Sequence, residues 1–245
     1  MSLIHGVILT AVMLCADTVV YAAASPLEAA VSQTPAPDQV VTAPGDTAFV
    51  ISTITPEIEA RISGRSYSRG CPVPLADLRY LSVLHHDGHG AVRRGELICH
   101  HSVAAELLSI FRELYAAGYP IEHMVLIDEY GADDEASMRA NNTSCFNYRQ
   151  VAGSSTLSRH AYGMAVDINP LYNPYVRMRG RRLIVRPAEG RSYVERNLQA
   201  DNPYIIRADD AVVRAFGSRG WRWGGAWRRY KDYQHFDKTL PHMRR

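Results

Sequence analysis

Ser158-Arg159-His160-Ala161-Tyr162-Gly163-Met164-Ala165-Val166-Asp167-Ile168-Asn169-Pro170 sets a histidine and an aspartate seven residues apart. The run is too rich in small and apolar residues to be an ordinary polar loop. For the two side chains to meet at one point, the chain must turn between them. Gly163 permits that turn, and Ala161 and Ala165 leave room for it. Asp167-Ile168-Asn169 then reads as a buried strand, which holds the carboxylate rigidly. A second stretch, Asp232-Tyr233-Gln234-His235-Phe236-Asp237, adds another histidine and, three residues before it, another aspartate.

These residue types suit a catalytic zinc, which takes three protein ligands and keeps one position for water. His160, Asp167 and His235 are the candidate ligands. Two imidazoles and one carboxylate leave about one net positive charge on the ion, which draws the pKa of a bound water toward neutrality. Asp232 is the candidate general base, placed to take that proton and pass it to a leaving amine. Arg149, at the end of a polar stretch, is a candidate for stabilising the oxyanion or for gripping a substrate carboxylate with its fork. Ser158 is a candidate contact to the metal shell or the substrate. H-x6-D alone is a loose pattern. Its pairing with D-x-x-H behind a Trp/Gly-rich loop strengthens it.

Outward from the motifs, the chain of 245 residues carries 47% hydrophobic and 21% charged residues, enough apolar content for a core and too little charge for global disorder. The net charge of +2 gives no reason to invoke nucleic acid. Residues 1–24 form an apolar run ending in Ala22-Ala23-Ala24, the pattern of a cleaved export signal. Asp17 interrupts the run, which speaks against a retained membrane anchor. Residues 25–48, with Pro26, Pro35, Pro37 and Pro44, read as a flexible linker, and 49–245 as the folded domain. Export permits a disulfide between two of Cys71, Cys99 and Cys145.

Within the domain, 78–85 and 95–100 predict a hairpin about the turn Asp87-Gly88-His89-Gly90. The histidines around it (85, 86, 89, 100 and 101) are assigned surface or packing roles. Ser102 is read as the cap of a helix from 103 to about 117, with Val103, Leu107, Phe111 and Leu114 on its apolar face. Residues 123–128 look like a buried strand, and Asp133-Asp134-Glu135 opens a short helix. A basic hairpin follows over 177–187, then a helix over 208–218. Trp221, Trp223 and Trp227 fall within seven residues and are expected to serve both as core and as the wall of a cleft.

Ser158-x-His160-x-x-Gly163-x-Ala165-x-Asp167 with Asp232-x-x-His235 resembles the zinc D-alanyl-D-alanine carboxypeptidase and L-alanyl-D-glutamate endopeptidase family. These peptidoglycan peptidases share a fold with the hedgehog amino-terminal domain. Asn142-Thr143-Ser144, Phe146-Asn147-Tyr148-Arg149, Asn173-Pro174-Tyr175 and Trp223-Gly224-Gly225 extend the likeness, so that it spans roughly 78–238. The resemblance implies zinc at His160, Asp167 and His235, Asp232 as base, and Ser158 and Arg149 as substrate contacts. It implies an α+β fold: a small antiparallel sheet with helices on one side and zinc in a groove on the sheet. It implies peptidoglycan stem peptides as substrate for an exported enzyme, periplasmic, wall-associated or secreted, with no stable membrane insertion after signal cleavage. A terminal D-alanine cut is favoured over an internal one, and a non-catalytic wall-binding zinc domain is the reading from another class.

Overall fold

A computed structural model describes residues 48–239, all within one unit, Pro35–Arg245. The expected signal 1–24, nearly all of the linker and the last residues of the chain lie outside the described residues. In chain order, β1 (Val50–Thr53) leads into α1 (Pro56–Ile62), and β2 (Leu78–His86) turns into β3 (Val92–His100). The three strands form one antiparallel sheet in the order β1-β2-β3. At the β2–β3 tip the Asp87 carboxylate accepts from the backbone of His89 and Ala91 and from Arg93 Nε, at 2.8–3.0 Å.

The strand period of two sorts this sheet's side chains onto two cores. Leu81 and Val83 with Leu97 and Cys99 face α2 (His101–Ala116). Leu78 and Ile98 face Ile62 of α1 and Phe146 on the other side. Helices therefore cover both faces, not the single face expected. α2 presents Val103, Leu107, Ile110, Phe111 and Leu114 to the sheet; all are buried, and each such side chain contributes about 1.5–3 kcal/mol. Its cap differs from the expectation: His100 Nδ1 accepts from Ser102 N at 3.2 Å, and Ser102 lies inside the helix.

Residues 123–128 are buried or half-buried but form no strand. Only an isolated bridge, His123 to Asn142, precedes a 3-10 helix at Ile127–Tyr130. Side chains supply part of the hydrogen bonding that a full ladder would have given: Asn142 Oδ1 accepts from Val125 N at 2.8 Å, and Glu96 Oε1 from Leu126 N at 3.3 Å. Beside them run single backbone bonds from Glu96 N to the Met124 carbonyl and from Thr143 N to the His123 carbonyl. α3 (Asp134–Arg139) follows, capped by Asp133.

The remaining strands are β4 (Ala165–Asp167), β5 (Tyr175–Arg179), β6 (Arg182–Arg186), β7 (Arg222–Trp223), β8 (Lys231–Asp232) and β9 (His235–Asp237), with α4 (Ala211–Gly217) between β6 and β7. They build two further antiparallel sheets, β4-β9-β7 and β6-β5-β8. The single sheet expected is thus three small ones in an α+β fold. β4 stops at Asp167, because Asn169 takes φ +46° and Pro170 follows, so the anticipated strand through Asn169 is cut short. Phe236 of β9 stacks on Phe216 of α4 at 4.4 Å, with Trp221 edge-on to Phe216, tying the β4-β9-β7 sheet to the α2–α4 side.

Two of the histidines near the hairpin take packing roles, His85 buried with Nδ1 on the Ile121 carbonyl and His86 stacked on Tyr115, while His89 and His101 are exposed. Cys71, Cys99 and Cys145 are free thiols, so the disulfide that export permits is not formed among them. Among the described residues no helix is long and apolar enough to cross a membrane.

Candidate metal centre

His160 sits on a one-turn 3-10 helix, Arg159–Tyr162, fixed at both ends. At the start, Ser158 Oγ accepts from His160 N at 3.3 Å. At the end, Gly163 takes the left-handed conformation at φ +62°, and a Cβ there would stand 2.5 Å from His100 N. Glycine is required on both counts. The buried His160 ring donates from Nδ1 to the Cys145 carbonyl at 2.6 Å. With its proton on Nδ1, Nε2 keeps its lone pair for whatever lies opposite.

Asp167 and His235 lie opposite through strand register. β4 pairs with β9 so that these two residues are direct partners, and direct partners in an antiparallel ladder project to the same face. His235 Nδ1 is 2.9 Å from Asp167 Oδ1, His160 Nε2 is 3.2 Å from Asp167 Oδ2, and His160 Nε2 is 3.3 Å from His235 Nδ1. Metal–ligand bonds of 2.0–2.2 Å in a tetrahedron set ligands about 3.3 Å apart. One ligand atom from each of the three residues lies within 4.8 Å of the others. The two Asp167 oxygens turn one to each imidazole, and His160 is oriented by a carbonyl behind it. These donors suit a zinc ion.

The electrostatics match such a cluster. Burial raises the Asp167 carboxyl, but His160 and His235 outweigh it and hold it well below the usual carboxylate range. Burial lowers His235, but the Asp167 hydrogen bond and charge, with Asp232 and Asp237, lift it to about 9. Asp232 moves the other way. Burial foremost, with the charges of Asp167 and Asp134 against the opposing His235 and Arg149, lifts its carboxyl to about 7.

Asp232 stands on β8 against Gly224, where a Cβ would come within 2.8 Å of the Asp232 Cβ. Its Oδ1 is buried with no hydrogen-bond partner, as is Nε of Arg149. Arg149 Nη2 binds Asp134 Oδ1 at 2.8 Å, and Arg149 reaches Asp232 through its charge. Ser158 is buried, and its oxygen is engaged with His160 N. Trp221 is buried in the core, while Trp227 lies 5.6 Å from the His235 ring and 5.1 Å from Tyr230.

Two contributors escaped the sequence reading. The Cys145 carbonyl is a main-chain group with no residue signature. Asp134 was visible in the acid triplet, but there it read only as a helix start. A second group, Asp77, His100 and His101, also has ligand atoms within 4.8 Å of one another. It is more exposed and lies at the N-terminal end of α2, where the helix dipole disfavours a cation.

Residues 152–238 match the family model described as D-alanyl-D-alanine carboxypeptidase. That span contains Ser158, His160, Asp167, Asp232 and His235 and begins just after Arg149, a shorter reach than the motif likeness over 78–238. No curated protein and no solved structure matches the chain. The match supports a metallopeptidase of the zinc D-alanyl-D-alanine carboxypeptidase family, whose members act on peptidoglycan.

Proposed function

We propose that the protein is an exported zinc peptidase that hydrolyses a peptide bond in the stems of bacterial peptidoglycan, of the D-alanyl-D-alanine carboxypeptidase type. The observation that carries this reading is the convergence of His160 Nε2, the Asp167 carboxylate and His235 Nδ1 at 2.9–3.3 Å, with Asp167 and His235 partnered on a buried ladder and His160 brought to them by its 3-10 turn. These three residues would hold the zinc, and the bound ion would act as Lewis acid toward the scissile carbonyl and a water. Asp232, with a carboxyl poised near neutral pH and an unpartnered Oδ1, takes the proton from the attacking water and returns it to the leaving amine. Arg149 offers its partnerless Nε to substrate oxygen. Ser158 is assigned a supporting role, because its hydroxyl still has a proton to donate while its oxygen caps the His160 turn.

One observation favours the endopeptidase reading instead. The Asp134 carboxylate already occupies Nη2 of Arg149, which weakens that arginine as a cradle for a free C-terminal carboxylate. Mass spectrometry of products from defined muropeptides, with zinc-loaded protein, decides between them. Release of terminal D-alanine is expected; an internal stem fragment would identify the endopeptidase, and neither product would leave a binding domain.

A further inference from the structure

We infer that the β5–β6 hairpin is an extended subsite for carboxylates of the peptide stem, lying on the same sheet face as Asp232. The assignment of peptide stems as occupant rests on the peptidase reading above. Residues 177–186 contain five arginines and no acid. The pairings Tyr175↔Asp232, Arg177↔Ile184 and Arg179↔Arg182 place Asp232, Arg177, Arg179 and Arg182 on one face of the β6-β5-β8 sheet. Ring contacts confirm that face independently: Tyr230 packs at 5.5 Å on Tyr175 and lies 5.9 Å under the Arg177 guanidinium.

The hairpin and the metal centre are joined by an aromatic wall, from His235 through Trp227 to Tyr230. Of the arginines on the face, Arg186 has a carboxylate near it, Glu135 at 3.8 Å. Arg177, Arg179 and Arg182 have no ion-pair partner among the described residues and are exposed. Arg179 and Arg182 are direct cross-strand partners, an arrangement of like charges that is unfavourable until an anion lies between them.

The spacing selects an extended peptide as the anion. Four strand steps of about 3.3 Å put Arg179 about 13 Å from the register of Asp232, the reach of about four extended residues. Arg177 and Arg179, two positions apart, repeat at the interval of alternate residues in such a peptide. Acidic stem residues on the far side of the scissile bond would meet this row.

The test uses full-length, zinc-loaded protein, wild type, Arg179→Gln/Arg182→Gln and the charge-keeping Arg179→Lys/Arg182→Lys. Two substrates are compared, muropeptides with free stem carboxylates and the same muropeptides amidated. Wild type is expected to prefer the free acids, with the preference shrinking about fivefold to tenfold in the Gln variant and largely kept in the Lys variant. Co-sedimentation with insoluble peptidoglycan, free or amidated, reads the same contrast without turnover, so it still decides if no muropeptide is cut. Equal binding to both forms by wild type, or an undiminished preference in the Gln variant, overturns the subsite. Binding that vanishes when phosphate-bearing polymers are stripped from the wall overturns it in favour of phosphate.

Discussion

Asp167 and His235 face one another as direct partners across β4 and β9, their side chains meeting at 2.9 Å between Oδ1 and Nδ1. Two of the three candidate ligands are thus anchored in a backbone ladder that remains when either side chain is changed. Asp167→Asn and His235→Ala should therefore stay folded while losing zinc. Loss of a residue that merely orients a ligand costs roughly 10–100-fold in metal affinity, and loss of a ligand should exceed that. Metal content after dialysis against a chelator of known affinity, beside circular dichroism, checks both halves.

Zinc uptake should release a proton. His235 is held at about 9 in the metal-free protein, so at neutral pH its ring carries a proton that ligation must displace. Apparent zinc affinity should then climb about tenfold per pH unit up to about pH 9 and level off above it. Calorimetric titration in buffers of different ionisation enthalpy measures about one proton released per zinc at pH 7. The sign reverses for stability without metal. The raised value means that the Asp167–His235 pair stabilises the metal-free fold fully below about pH 6.5, and this contribution fades as the pH rises through 9.

Asp232→Asn separates base from ligand. Removing a general base costs about 10²–10⁴ in kcat, and zinc content should not change. A variant that loses its zinc would make Asp232 a fourth ligand and end its assignment as base.

Gly163→Ala should be damaging beyond its size. The left-handed φ of +62° costs a β-carbon about 1–2 kcal/mol, and the added methyl meets the His100 backbone nitrogen at 2.5 Å. A loss of more than about 2 kcal/mol is expected, together with weaker zinc binding, because the turn that aims His160 must shift. Denaturant unfolding of the metal-free form isolates the first effect.

Glu96 is a fully buried carboxylate satisfied from four sides: both ends of the Arg61 fork, at 2.8 and 2.5 Å, the Tyr80 hydroxyl at 2.8 Å and Leu126 N at 3.3 Å. Glu96→Ala leaves the half-buried Tyr80 hydroxyl and the buried Leu126 N–H without this partner and should cost roughly 2–3 kcal/mol. The midpoint of urea unfolding reads the change.

What could be seen in advance followed physical range. The β2–β3 hairpin and α2 announce themselves through local periods, two and three-to-four, over nine and sixteen residues. The two motifs place the candidate ligands because short spacing and a required glycine restrict what the backbone can do. The division into three sheets was not visible, since β4, β7, β8 and β9 are only two or three residues long, too short to carry a period. The run 123–128 misled for a related reason. Most of its apolar residues are buried as a strand's would be, but the Glu96 and Asn142 side chains take two of its N–H groups and only single backbone bonds reach its neighbours. At α2 the cap moved by two residues, because an imidazole nitrogen at His100 served where a serine hydroxyl was expected.

The carbonyl that orients His160 belongs to the main chain at Cys145. Every amino acid carries that oxygen, so the tautomer of His160 is written into the path of the backbone and not into any side chain. Exchanging residue 145 for another small apolar one leaves the instruction intact, whereas a shift of the chain near 145, or an inserted residue there, erases it with every ligand still in place.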